Sequence, residues 1–557
     1  DLHVHVAVAG SGMDAFVRLE REDNLRSQLY CGVTHVVDLH DDQAAVFAAR
    51  ERSRKAPDLA RLYAAGAAFT APGGHGTQFG IPANAVTTVA EVDQRFDALA
   101  PLHPDVIKAI LEHGEWGPVP KLPTLDATLF DAIAARARAA KLPLFAHVWT
   151  LDEARTAVEH GASVLAHGVF VGAVDDALAS AMKTRGVAYV PTLSVVLGSQ
   201  RAGSDRSPYA RELALGALGA ELYDNVASGH GSTWATSGDF AAGERQWLAN
   251  LKTLADAGVS IGTGTDAGNP LTPHGPALLE ELALFVEAGL SPARTLRAAT
   301  LDSARILGVE RDFGSLAPGK IADVVVVRGE PSTTISDVWN VVDVFKAGVR
   351  FDREAHARRL AARAAGPAKA RVGADVPARI DDFDDGDARS AYASEWTASS
   401  DAVAGGKSSA TLAARDGVLR VEGELRAGFS YGPFAGVALR FGGGERVAGG
   451  GERVLDAGDY DGVRLRARGT ERSWSFTLNR AAVKDFNVFA TSLELGPEWK
   501  EVEIPFRALQ QVGFGKPVPW GAGDLVGLEI DARAPWGSNE IGVFELELDW
   551  IEFYRAP

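Results

Sequence analysis

The chain opens on Asp1-Leu2-His3-Val4-His5-Val6, in which two histidines alternate with apolar residues. In an extended strand the side chains at i and i+2 leave the same face. His3 and His5 therefore point together, while Leu2, Val4 and Val6 point the other way. Two imidazoles side by side at a strand end either bind a metal or line a polar edge. The pair alone leaves both readings open, and what the rest of the chain brings alongside has to decide.

Residues 1 to about 316 alternate short apolar runs with helix-period segments, the pattern of repeated βα units around a parallel sheet. Eight runs read as strands: Leu2–Val6, Thr34–Asp38, Leu62–Phe69, Val106–Ile110, Pro143–His147, Val164–His167, Tyr189–Thr192 and Ile261–Asp266. Between them lie segments such as LFDAIAARARAAK (129–141) and LDEARTAVEHG (151–161), the latter closing on the C-cap-like Gly161. Eight such units predict an α/β fold, a (β/α)8 barrel over residues 1–316, rather than an open sheet. An insertion at roughly 198–250 carries SGHGSTWATSG (228–238) and reads as a helical excursion with a Gly/Ser-rich loop, a candidate lid.

After the barrel, GSLAPGKIADVVVVRGEP (314–331) and VWNVVDVFKAGVRF (338–351) supply a few strands within 317–352, too few for a domain of their own. Residues 353–378 are rich in Ala and Arg with Gly and Pro, a helix fraying into a linker. From 379 to 557 alternating strands such as GVRLRARG (462–469) and GVFELELDWIEFY (542–554) predict an all-β jelly roll or sandwich. Six tryptophans fall here, Trp396, Trp474, Trp499, Trp520, Trp536 and Trp550. They could stack on sugar rings, but a sandwich core uses Trp the same way, and core is the favoured reading.

Composition sets the outer limits. A net charge of −17 disfavours nucleic acid and anionic membranes as partners. A single cysteine, Cys31, excludes an intrachain disulfide and a multi-thiolate metal site. Apolar runs stay short of the roughly 18 residues that a spanning helix needs. The chain starts inside a strand without Met, so upstream residues are expected to be missing, an export signal conceivably among them. The compartment stays open, with a periplasmic or extracellular one favoured.

Active sites of such barrels form at the C-terminal ends of the strands. His3 and His5 end strand one, Lys108 lies in DVIKAIL on strand four, His147 ends strand five, His167 ends strand six and Asp266 ends strand eight. Singly each has an ordinary explanation; Asp266, for instance, could cap the next helix. Lys108 is harder to explain away, because a lysine inside an apolar strand pays heavily for desolvation unless paired or modified. A carbamylated lysine becomes an anionic oxygen ligand able to bridge two cations. Six groups from five strands converging on one rim point to a metal site.

These residues resemble the amidohydrolase superfamily, whose pattern is His-x-His on strand one, histidines on strands five and six, and Asp on strand eight. His3, His5, His147, His167 and Asp266 match it, and Lys108 resembles the strand-four lysine of binuclear members. GVTHVVD (32–38), APGGHG (71–76) and TLDSARILGVERDFGSLAPGKIADVVVV (300–327) resemble the imidazolonepropionase-like and prolidase-like branch, which includes Xaa-Pro dipeptidase-type hydrolases. In that family the strands after the barrel join an N-terminal segment in a small β-sandwich. The resemblance implies two divalent metals, zinc above all, with His3, His5 and Asp266 on one, His147 and His167 on the other, and carbamylated Lys108 between. It further implies attack of a metal-bridging hydroxide on a small amide, a dipeptide or N-acyl amino acid, with Asp266 moving the proton.

His75 in APGGHG, His230 in the insertion and His274 in NPLTPHG are candidates for substrate contact. Tyr189 reads as packing, Asp38 as a structural hydrogen-bond acceptor and Cys31 as a buried small hydrophobe. A mononuclear deaminase of the same superfamily ranks second, because HVWT after His147 lacks the usual Glu and Lys108 would have no role. Hydrolysis of a cyclic amide or lactone is a further variant. A rival of another class is an inactive barrel carrying a ligand-binding jelly roll. Residues 379–557 resemble the galactose-binding-like complex I intermediate-associated protein 30 family through IDDFDDG (380–386), GGKSSATL (405–412), DYDGVRLRARG (459–469), EWKEVEIPF (498–506) and LELDWIEFY (546–554). A carbohydrate or protein ligand on this domain stays open.

Overall fold

The computed structural model describes residues 1–557 except 13–16, 18, 78–81, 116–120, 203–208, 210, 229–237, 365–368, 393, 405, 428–431, 442–453, 484, 486, 514, 535–539 and 557. The chain forms two compact units, Asp1–Ala364 and Ala365–Pro557.

In the first unit, Ile107–Ile110, Leu144–His147, Val164–Ala166 and Ala188–Val190 pair in parallel, one after the next. His35–Asp38 pairs in parallel with Arg61–Ala64, and Phe69–Thr70 carries the third strand on to Ile107–Ile110. Single bridges close the ring: Val4 to Asp38 and Ala267, and Tyr189 to Ile261. This is the eight-stranded barrel expected from the sequence. Among the described residues, six of its helices begin on a side chain that caps their free N–H groups: Asp42, Thr88, Asp126, Thr150, Asp175 and Ser291. Such caps start each of these helices sharply.

Alternation sorts the strand residues between two cores. Val37, Tyr63, Val106, Phe145, Val164, Ala188 and Val190 fill the barrel interior. Val36, Leu62, Ile107, Leu144, Leu165 and Tyr189 face the helices. On strand one Val4 and Val6 face the helices as expected, but Leu2 packs into the interior. That strand is held by a bridge on each side rather than a full ladder, so the period of two is not enforced along it.

The insertion is helical, with Glu212–Ser228 kinked at Gly219 and followed by Gly238–Ala257. Its Gly/Ser-rich loop, including His230, lies outside the described residues. The strands after the barrel form a three-stranded antiparallel sheet of Val324–Val327, Val341–Lys346 and Val349–Arg350. Lys346 is buried, and its ammonium donates to the carbonyls of Ser53, Ala56 (2.8 Å) and Leu59 around the end of helix Gln43–Lys55. The stretch read as a linker carries structure at both ends. Arg353–Ala364 is a helix whose His356 Nε2 donates to Ala217 O at 2.9 Å, and Lys369–Arg371 pairs with Val454–Asp456.

The second unit is all-β. Leu525–Arg533 pairs with Phe434–Arg440 and Trp474–Arg480 in one sheet, and Gly542–Tyr554 pairs with Val418–Leu425 and Gly462–Gly469 in the other. Leu419, Leu465, Phe476, Leu528, Ile530 and Leu546 share their core. Trp396 and Trp474 are core residues, as favoured, whereas Trp550 and Trp499 are half-buried under guanidinium groups, Arg379 at 5.0 Å and Arg468 at 4.9 Å. Trp536 lies outside the described residues. Among the described residues no helix is long and apolar enough to cross a membrane.

Replacing Lys346 by Met leaves three carbonyls without their ammonium. The expected loss is about 2–4 kcal/mol, since buried acceptors stripped of a charged donor are costly. Urea unfolding of the first unit, followed by tryptophan fluorescence, reads it.

Candidate metal centre

Strand parity delivers the first groups. Lys108 follows Val106 into the interior, and His147 follows Phe145. In the parallel register Ile110 stands beside His147 and His147 beside Ala166, which brings strands four to six level at the rim. His167 and Asp266 arrive differently. Both have left-handed backbone, φ 86° and 62°, as does Thr192 at 49°. Such conformations cost a non-glycine residue roughly 1–2 kcal/mol, and here they turn strand ends inward at the site. The rings converge: His147 and His167 centroids lie 4.1 Å apart, His3 and His167 4.5 Å, His3 and His5 5.4 Å.

Three imidazoles have one nitrogen held from outside the cluster. His5 Nδ1 lies 3.2 Å from His40 O, His147 Nε2 lies 2.6 Å from Glu112 Oε2, and His167 Nδ1 lies 2.8 Å from Thr192 Oγ1. A carbonyl only accepts, so His5 Nδ1 carries the proton and Nε2 of the neutral ring is a bare lone pair. That lone pair stands 3.0 Å from Asp266 Oδ1, and His3 Nε2 stands 3.3 Å from the same oxygen. Asp266 Oδ1 and His3 Nδ1 are buried without a hydrogen-bond partner among the described residues.

Lone pairs facing a carboxylate oxygen repel unless a positive charge sits among them. The titration tendencies agree. Burial pulls His5 down, yet the Asp266 carboxylate outweighs it and raises the ring above its ordinary value. Burial pushes Asp266 up, yet His5, Lys108 and His147 hold it below the usual carboxylate range. His3, His147 and His167 are held well below theirs, by burial first and then by neighbouring positive groups, which keeps them in the neutral form a metal requires. Two ligand atoms on a tetrahedral zinc stand about 3.3 Å apart, given bonds near 2.05 Å. The Asp266–His5 and Asp266–His3 separations suit that geometry, and His3, His167 and Asp266 each offer a ligand atom within 4.8 Å of one another. The donor set fits a divalent cation.

Lys108 Nζ, almost fully buried, lies 3.4 Å from His3 Nε2. Burial brings its pKa down to about 7. Much of the amine is then neutral at physiological pH, the form that adds carbon dioxide.

The frame behind these groups is polar and closed. Asp1 accepts from Thr265 Oγ1 at 2.7 Å and braces strand eight. Asp38 is the structural acceptor expected of it, taking Val6 N–H at 2.7 Å and His40 N–H at 3.1 Å. His40 Nδ1 accepts Ala68 N–H at 3.1 Å, so Nε2 donates to Gly76 O at 3.2 Å and pins the GGHG loop. Glu281 takes the N–H groups of Leu193 (2.9 Å) and Ser194 (2.6 Å) and so fixes the turn that holds Thr192.

Of the residues expected to face substrate, His75 reaches the centre, its ring 4.7 Å from that of His147 and its Nδ1 3.5 Å from Glu112 Oε2. His274 does not. It is fully buried in the wall with Nε2 donating to Val8 O at 2.8 Å and Nδ1 accepting from Gln28 at 3.1 Å, which leaves no nitrogen for a substrate. Tyr189 packs, its hydroxyl accepting Val169 N–H at 3.2 Å, and Cys31 is buried. Sequence reasoning missed Glu112, His40 and Thr192. For Glu112 a signal existed, since it lies four residues beyond Lys108 and period-two parity carries both to one face.

Comparisons with known proteins agree with this architecture. The Amidohydrolase family matches residues 1–350, and the chain belongs to that family. The Complex I intermediate-associated protein 30 (CIA30) family matches residues 383–523. The chain is 36% identical over 103 residues to an imidazolonepropionase of Deinococcus deserti, covering 18% of this chain and 25% of that protein. It is 35% identical over 66 residues to an adenine deaminase of Moorella thermoacetica, 12% of this chain and 11% of that protein. The chain therefore spans a quarter or less of these relatives. A solved Xaa-Pro dipeptidase with bound methionine shares the fold at a TM-score of 0.50 and 23% identity, over 63% of this chain and 85% of that one.

A cation that binds only the folded barrel raises its melting temperature, by about 2.7 kcal/mol of stability at a hundredfold excess over Kd. Zinc added to chelator-stripped protein is expected to produce such a shift, and His3→Asn together with His167→Asn to remove it. Differential scanning calorimetry provides the readout.

Proposed function

We propose that the barrel hydrolyses a carbon–nitrogen bond in a small amide, a dipeptide or an N-acyl amino acid, using two divalent cations, zinc above all. The observation that carries this reading is the buried Asp266 oxygen facing His3 and His5 at 3.3 and 3.0 Å, an arrangement that calls for a positive charge among the three. His3, His5 and Asp266 would hold one cation, His147 and His167 the other, and carbamylated Lys108 would lie between them. When bound, such a pair supplies Lewis acidity that brings the pKa of a water to about 7.

The chain's own residues then manage protons and geometry. Asp266, held below the ordinary carboxylate range, is ionised and can accept a proton from the attacking water. The water oxygen bonds to the carbonyl carbon, the C–N bond breaks, and Asp266 returns the proton to the departing nitrogen. His75, on the loop pinned by His40, stands where it can orient the substrate carbonyl. Family membership supports the hydrolase class, and the imidazolonepropionase and Xaa-Pro dipeptidase among the similar proteins suggest amides of this size.

Zinc-loaded protein screened against dipeptides, N-acyl amino acids and cyclic amides should release an amine from at least one. Asp266→Asn should keep bound metal, measured by plasma mass spectrometry, while turnover falls about 10²–10⁴-fold. Full activity of that variant would refute the proton role. Ammonia released from a purine base instead would favour the deaminase reading, which the adenine deaminase relative supports.

A further inference from the structure

Glu112 stands out because the proposed chemistry does not use it. It is almost fully buried just beyond strand four, and its Oε2 lies 2.6 Å from His147 Nε2. A carboxylate buried this deeply is retained only with partners that offset its desolvation. Glu112, His75 and His147 each offer a ligand atom within 4.8 Å of one another, so Glu112 is either a direct metal ligand or the partner that orients one.

The distance separates the two roles. Ligand atoms sharing a tetrahedral zinc stand about 3.3 Å apart. Those of Glu112 and His147 are 2.6 Å apart, the range of a charge-assisted hydrogen bond. A proton fits between them; a cation does not. His75 Nδ1, at 3.5 Å, is too far to compete for the same oxygen.

We propose that Glu112 is the positioning residue of His147: it accepts the Nε2–H, fixes the tautomer and ring plane, and leaves Nδ1 as the nitrogen turned to the metal centre. This rests on the metal-dependent reading above and extends it. His167 is held in the mirrored sense, through Nδ1 on Thr192 Oγ1, which leaves its Nε2 for the centre. Of the two partners only Glu112 carries a carboxyl group, and a carboxylate behind an imidazole makes it a stronger donor to a cation.

The test measures zinc affinity at each of the two sites by chelator competition on the full chain, with no substrate present. Glu112→Ala is expected to weaken one site about 10–100-fold while the other keeps its wild-type affinity. Glu112→Gln, whose amide oxygen still accepts the Nε2–H, should lose less at that same site. It also supplies the measurement if the alanine variant does not fold. Unchanged affinity at both sites, or equal weakening of both, would overturn the proposal. So would a Gln variant as impaired as Ala, which would make Glu112 a direct ligand. Wild-type protein that binds no zinc would instead contradict the proposed function itself, before any variant is compared.

Discussion

The site is organised around a repulsion that only a positive charge resolves, either a second proton on His5 or a bound cation. Asp266 Oδ1 is buried at 3.0 Å from His5 Nε2, a nitrogen whose proton has been drawn to the far side of the ring by the carbonyl of His40. While His5 is neutral, nothing polar among the described residues donates to that oxygen. In a low-dielectric barrel mouth, an acceptor facing a lone pair is tolerated only where a positive charge completes it. Turning His167 and Asp266 inward at positive φ costs further free energy, and so does burying Lys108. Strain, desolvation and an unsatisfied acceptor all fall at one rim, and a cation there would satisfy the acceptor.

The remainder of the first unit serves that rim. Interior side chains from Val37 to Val190 fill the barrel below it, so the polar groups rest on a packed floor. Behind the ligands, Asp1, Asp38, His40 and Glu281 each bind backbone or hydroxyl groups of a strand end. They touch no reacting atom, yet they fix the turns from which the ligands project. Placing function at strand ends on a rigid scaffold lets a loop such as GGHG carry a further group, His75, to the centre.

Much of this was legible in the sequence, for physical reasons. A barrel strand buried on both faces reads as a short apolar run, so a lone Lys108 or His147 within one is conspicuous. The spacing of βα units announced the closed sheet. Less legible were residues whose role depends on contacts distant in the chain. Thr192 and His40 are ordinary strand-end residues until His167 and the GGHG loop are seen against them. His274 misled because a histidine among Pro, Thr and Gly looks loop-borne and accessible, whereas folding locks both its nitrogens onto Val8 and Gln28. The Ala/Arg run that opens 353–378 forms the helix its composition suggests, and what composition did not show is its anchor, His356 on Ala217 O. In the second unit, tryptophan count could not separate Trp474, on a strand with its ring in the core, from Trp499, which sits just before a strand beneath arginines.

The most direct test is anomalous diffraction from crystals of the zinc-loaded protein, collected at the zinc edge. One peak enclosed by His3, His5 and Asp266 is expected, with a second beside His147 and His167. Crystals whose only zinc lies elsewhere on the surface, with the Asp266 oxygen still facing the two imidazoles, would contradict it.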